Sequence, residues 1–206
     1  MNGLQIPDCN EFLRGVDAYE KKEQRGYVYF QALTHIQQNW GNPEEMAQGI
    51  GLLLQSWHQG FYRFGNFDRN VLIECIKKNL EIINKFRDRD ISSLSNNDET
   101  KIKELFNQFL DALRGGNRRS PVAATKSLNL LAPKFLPLWD SDIALAYGYV
   151  WGGILTDFTD TDYISFCWKM KEMGERIQGY LPNPDDRSLL KRIDEYNYAK
   201  YTKGWI

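Results

Sequence analysis

The chain has 206 residues, 42% of them hydrophobic and 14% aromatic, enough apolar material to bury a core without disulfide bracing. Its three cysteines, Cys9, Cys75 and Cys167, are far apart and lack CxxC spacing, which argues against zinc and for a reducing, cytoplasmic setting. Two histidines are too few for a histidine metal site or triad, and a net charge of -1 lacks the basic balance of a strong nucleic-acid binder.

Residues 1 to 8 read as a lead without the basic-then-apolar layout of a signal peptide, and no apolar run approaches the ~20 residues of a membrane span. Asp8 or Asn10 can cap a first helix through CNEFLRGVDAYEKKEQ, with Gly26 as its break. YVYFQALTHIQQNW opens with strand-like residues, but Phe30, Leu33, Ile36 and Trp40 fall at helical spacing and predict a helix. NPEEMAQGIGLLLQSWHQGFYRF reads as one long helix, with Pro43 and two glutamates in its first turn. The Gly49-x-Gly51 pair within it has no preceding strand and points to close helix packing, not to a dinucleotide site. Trp57 and Arg63 stand out here as an aromatic wall and a phosphate-reaching cation for a bound nucleotide, or as a core residue and a satisfied arginine.

Asp68 caps an amphipathic helix through Phe86, whose inner face carries Leu72, Cys75, Ile76, Leu80 and Ile83. The polar stretch 91–98 is a candidate boundary between two lobes or a mobile segment. The next helix presents Ile102, Leu105, Phe106, Phe109 and Leu113 on one side and leads to Arg114-Gly115-Gly116-Asn117-Arg118-Arg119. Ser120-Pro121 starts a short apolar helix containing Lys126, Pro133 ends it, and Asp140 opens another. Asp157, Asp160 and Asp162 read as capping residues, because the glycine and glutamate of a calcium loop are missing. Gly152-Gly153 marks a bend, and Pro182-Asn183-Pro184 a hinge. The last helix, DDRSLLKRIDEYNYAKY, is expected to turn Leu189, Leu190, Ile193 and Tyr196 inward and Asp194 and Glu195 outward.

The stretch ATKSLNLLAPKFLPLWDSDIALAYG, with a lysine inside one helix and an aspartate capping the next 14 positions on, resembles the core of the helix-hairpin-helix DNA glycosylase superfamily, in particular the lyase branch that removes oxidised guanine. Short bacterial all-helical proteins of unassigned function are similar in the same Lys, Leu, Pro, Phe, Trp-Asp order. The glycosylase resemblance implies that Lys126 is the nucleophile and Asp140 the catalytic aspartate, with Asp142 as the fallback. It implies cleavage of an N-glycosidic bond in DNA, or in a free nucleotide or nucleoside, without a cofactor. Arg114 to Arg119 stands where that family has its Leu-Pro-Gly-Val-Gly hairpin, so Arg118 and Arg119, near Lys126 and Lys134, are the available phosphate-binding charges. Trp139 is a pocket wall or a core residue.

The expected architecture is one all-α domain over 1–206, an orthogonal, non-repeating, glycosylase-like bundle of about eight helices. The alternative function is a non-catalytic helical binding module. Geometry separates the two, because only the enzyme requires Lys126 and Asp140 to share one aromatic-walled cleft.

Overall fold

In the computed structural model, residues 6–63, 65–149, 158–180 and 187–206 are described. Among them run ten helices: α1 (Cys9–Lys22), α2 (Gly26–Gln38), α3 (Pro43–Trp57), α4 (Gln59–Tyr62), α5 (Arg69–Arg87), α6 (Glu99–Ala112), α7 (Pro121–Leu131), α8 (Ser141–Ala146), α9 (Asp160–Ile177) and α10 (Leu189–Asn197), with a π-helical turn, Tyr198–Thr202, continuing α10. Eight helices have at least seven residues, and no strand occurs among the described residues. The protein is an all-α bundle. Gly152-Gly153, Asp157 and Pro182-Asn183-Pro184 lie outside the described residues.

Side chains set the helix starts. Asp8, Asn42, Asp68, Ser120, Asp140, Thr159 and Ser188 each accept a hydrogen bond from a first-turn backbone N–H. Each supplies a partner to a donor that the helix itself leaves unmatched, worth about 1 kcal/mol. Thr159 and Asp162 form a reciprocal capping box.

The bundle is built around α7, every residue of which is buried. With no face left to solvent it lies inside the core, and α2, α3 and α6 pack directly on it. Its polar side chains are satisfied locally or across the core. Thr125 Oγ1 donates to the Val122 carbonyl, Ser127 Oγ to the Ala123 carbonyl and Asn129 Nδ2 to the Leu136 carbonyl, while Asn129 Oδ1 accepts from the Tyr29 hydroxyl at 2.8 Å.

The long helix expected over residues 43–64 is interrupted at His58, whose N–H closes α3 on the Leu54 carbonyl. The His58 ring stacks on Phe61 and lies 2.7 Å from Ser120 Oγ, the α7 cap, so tertiary partners turn the chain there. This break leaves the Trp57 carbonyl without a helical donor, and that carbonyl becomes part of the site. Residues 91–98 fold as two short 3-10 turns. Ile91 and Leu94 enter the core, and the Asp98 carboxylate binds the Arg89 guanidinium at 2.6 and 2.9 Å.

The two glycines of α3 differ. A Cβ on Gly49 would stand 2.5 Å from Ile36 Cγ1, so this glycine allows α2 and α3 to touch, whereas a Cβ on Gly51 would find nothing nearer than 3.9 Å. Gly49→Ala is therefore expected to destabilise the fold by about 1–3 kcal/mol, and Gly51→Ala to stabilise it by about 0.5–1 kcal/mol through helix propensity. Thermal melts of the two variants moving the same way would refute this distinction.

Candidate active site

Five segments meet at one narrow cleft with about 30 Å³ of interior space. Its lining is Tyr29 from α2, Leu53 and Trp57 from α3, Lys126 from α7, Leu138 and Asp140 from the α7–α8 connection, and Lys191, Asp194 and Tyr198 from the end of the chain. Lys126 and Asp140, singled out from sequence, thus share one aromatic-walled cleft.

Lys126 is 7% exposed, and its amine makes a single hydrogen bond among the described residues, donated to the Trp57 carbonyl at 3.2 Å. That carbonyl ends α3, where the helix dipole favours a cation, and Nζ lies 5.7 Å from the Trp57 ring centroid. An ammonium has three donors, so this one is poorly compensated. Burial pushes its pKa down from the ordinary lysine value, with Asp140 and Asp194 pulling the other way.

Asp140 is held rigidly. Its Oδ1 accepts the Ile143 N–H at 2.9 Å as the cap of α8, and its Oδ2 accepts from Thr202 Oγ1 at 2.7 Å, across to the π-helical turn. The carboxylate makes no ion pair with Lys126 among the described residues and acts on it through space.

The expectation that Asp194 and Glu195 face outward is corrected by the structure. Both are buried, and so is Lys191, at 3% exposure. Lys191 Nζ donates to Asp194 Oδ2 at 2.7 Å and to the Tyr19 hydroxyl at 3.3 Å, lies 3.9 Å from Glu195, and sits over the Tyr19 and Tyr29 rings. Glu195 is also bound by Arg187 and Arg192. Burial opposes the charge on Lys191, but Asp194, Tyr19 and Glu195 outweigh it and hold its pKa well above the ordinary value. The cleft therefore contains two lysines driven in opposite directions, one a firmly charged partner and the other an amine that gives up its proton more readily.

Besides Lys126 and Asp140, Trp57 lines the cleft; the other expected site residues do not. Trp139 is fully buried in an aromatic cluster with Tyr149, Phe158, Tyr163 and Phe166, which decides its role as core. Asp142 is exposed, its pKa raised by partial burial and by Asp140. Arg63 is exposed beyond α4. Arg118 donates to the Phe61 carbonyl at 3.1 Å, and Arg119 pairs with Asp111 at 2.7 Å, as does Arg114. The basic stretch is thus partly neutralised.

Sequence reasoning missed Tyr29, Lys191, Asp194, Tyr198 and Thr202. The one available signal was the Lys191/Asp194 spacing of three on a helix, which also describes an ordinary surface pair. No group of three or more His, Cys, Asp or Glu able to hold a metal occurs among the described residues. No helix there is long and apolar enough to cross a membrane. A scan against family models and searches of curated proteins and of solved structures each find no match.

Proposed function

We propose that the protein cleaves an N-glycosidic bond by amine chemistry, in the manner of a DNA glycosylase/lyase, with Lys126 as nucleophile and Asp140 as the stabiliser of developing positive charge. The observation that carries this reading is the buried Lys126 amine, held by one hydrogen bond and facing the same aromatic-walled cleft as a rigid carboxylate. A lysine at its ordinary pKa near ~10.4 is almost wholly protonated at neutral pH and cannot attack, and burial shifts Lys126 in the needed direction. Asp140, already hydrogen-bonded on both oxygens, offers preorganised negative charge to an oxocarbenium-like sugar. Tyr29, Trp57 and Tyr198 form the aromatic walls of the cleft.

Two substrate sources share this chemistry, a base in DNA and a free nucleoside or nucleotide. The net charge of -1 and the pairing of Arg114 and Arg119 with Asp111 favour the smaller substrate. The test is borohydride trapping on oligonucleotides bearing abasic, 8-oxoguanine or uracil sites, alongside base release from free nucleosides. A covalent adduct lost in Lys126→Ala and slowed by about 100-fold in Asp140→Asn is expected, the latter being the size of a removed electrostatic stabiliser. No adduct and no base release from any of these substrates would overturn the enzyme reading in favour of a binding module.

A further inference from the structure

We infer that Asp194 is a further catalytic residue of this cleft, the group that takes the proton from the Lys126 amine after attack and returns it to the departing oxygen. The inference rests on Lys126 acting as a nucleophilic amine, as argued above. Asp140 is badly placed for proton transfer, since both of its oxygens already accept hydrogen bonds, one from the backbone of α8 and one from Thr202. Asp194 lines the same cleft at 9% exposure and accepts from Lys191 through Oδ2; its Oδ1 has no hydrogen-bond partner among the described residues.

Lys191 fixes this arrangement. Clamped by Asp194 and Tyr19, with Glu195 at 3.9 Å, it orients the carboxylate and keeps its own proton. Burial in turn makes Asp194 accept a proton more readily than an ordinary aspartate, although the Lys191 charge opposes this. Asp194 makes no ion pair with Lys126 among the described residues, but a carboxylate with one oxygen held and the other open, lining the same cleft as an amine that must lose a proton, fits a general acid-base group acting directly or through one water.

The step balances without an outside reagent. The neutral amine attacks C1′, forming the Nζ–C1′ bond as the C1′–base bond breaks, and the electron pair leaves with the base, which solvent protonates. The positively charged nitrogen then gives one proton to Asp194 Oδ1. As the sugar opens, the nitrogen lone pair forms N=C1′, the C1′–O4′ pair leaves on oxygen, and O4′ takes the proton back from Asp194. The product is a protonated imine.

A probe independent of the natural substrate tests this. Glycolaldehyde with cyanoborohydride alkylates lysines through a carbinolamine, whose dehydration needs the same transfer from nitrogen to the leaving oxygen. Modification of Lys126 in the full chain is followed by peptide mass spectrometry, with exposed Lys77 and Lys78 as internal references. Asp194→Asn is expected to slow modification of Lys126 by about 100-fold, the low end for general acid-base catalysis, and to leave the references unchanged. A merely electrostatic Asp194 predicts the opposite sign, because removing its charge makes the amine lose its proton more easily. Equal or faster modification of Lys126 in Asp194→Asn overturns the inference, as does a wild-type Lys126 that no aldehyde reaches. Because Asp194→Asn strands the Lys191 ammonium, the double variant K191M/D194N is measured beside it; slow modification is again expected, and a wild-type rate there overturns the inference too. An absent adduct on nucleic acids is a separate failure, of the function proposed above.

Discussion

Replacing Lys191 with methionine is expected to lower the stability of the fold by about 3–5 kcal/mol, the range for breaking a buried ion pair on one side only. Asp194 would lose its only side-chain hydrogen bond among the described residues, while Glu195, 0% exposed, would keep Arg187 and Arg192. The loss therefore falls mainly on one stranded carboxylate. At this chain length, each kcal/mol moves the melting temperature by about 2–4 °C, so a drop of roughly 10 °C is expected in a thermal scan. The double variant K191M/D194N is expected to recover much of it, because it leaves no unpaired charge at either position. A drop below about 1 kcal/mol in Lys191→Met would mean that the pair is held open to water and that the clamp on Asp194 is loose.

Lys126→Met is expected to do the reverse for stability and to abolish function. The amine sits in the core with one hydrogen bond, so an apolar side chain of similar length should stabilise the fold by about 1 kcal/mol at neutral pH. The pH dependence has a definite sign. Burial lowers the native pKa of Lys126 below its unfolded value of ~10.4, so between those two values the unfolded chain binds more protons than the native one. In that interval wild-type stability rises with pH, and below the native pKa the full penalty applies. The advantage of Lys126→Met should therefore be largest below the lowered native pKa and shrink as pH approaches ~10. Urea titrations at two pH values check this, and an advantage that grows with pH would contradict it. The same variant should form no borohydride adduct, so a folded, more stable and inactive protein is the expected combination. A stabilised site residue of this kind separates a functional lysine from a structural one, whose removal would weaken the fold.

Much of the fold was legible because its signals are local. The caps at Asp8, Asp68, Ser120 and Asp140 and the proline at position 121 act within one helical turn, and the helices start where those residues stand. Lys126 and Asp140 could be paired in advance because a helix, a break and a second helix fold 14 residues back on themselves. The interruption of α3 at His58 was not legible, since it depends on Ser120, 62 positions away in the chain.

The sequence by itself determined the helical class, the helix starts marked by Asp8, Asp68, Ser120 and Asp140, and the central buried segment, because capping and hydrophobic periodicity act over a few residues. Only the tertiary structure decided what the cleft contains. Asp194 and Glu195 were expected on the solvent face of α10, yet both are buried together with Lys191, since each finds an opposite charge or a tyrosine supplied by another turn or another helix. Trp139 resolved into core for the corresponding reason, with four aromatic neighbours from distant positions surrounding it. Burial of a charged side chain depends on partners adjacent in space, one of them a helical turn away (Lys191 to Asp194) and another remote in sequence (Tyr19), and that compensation put a second lysine and a second carboxylate in the cleft of Lys126 and Asp140.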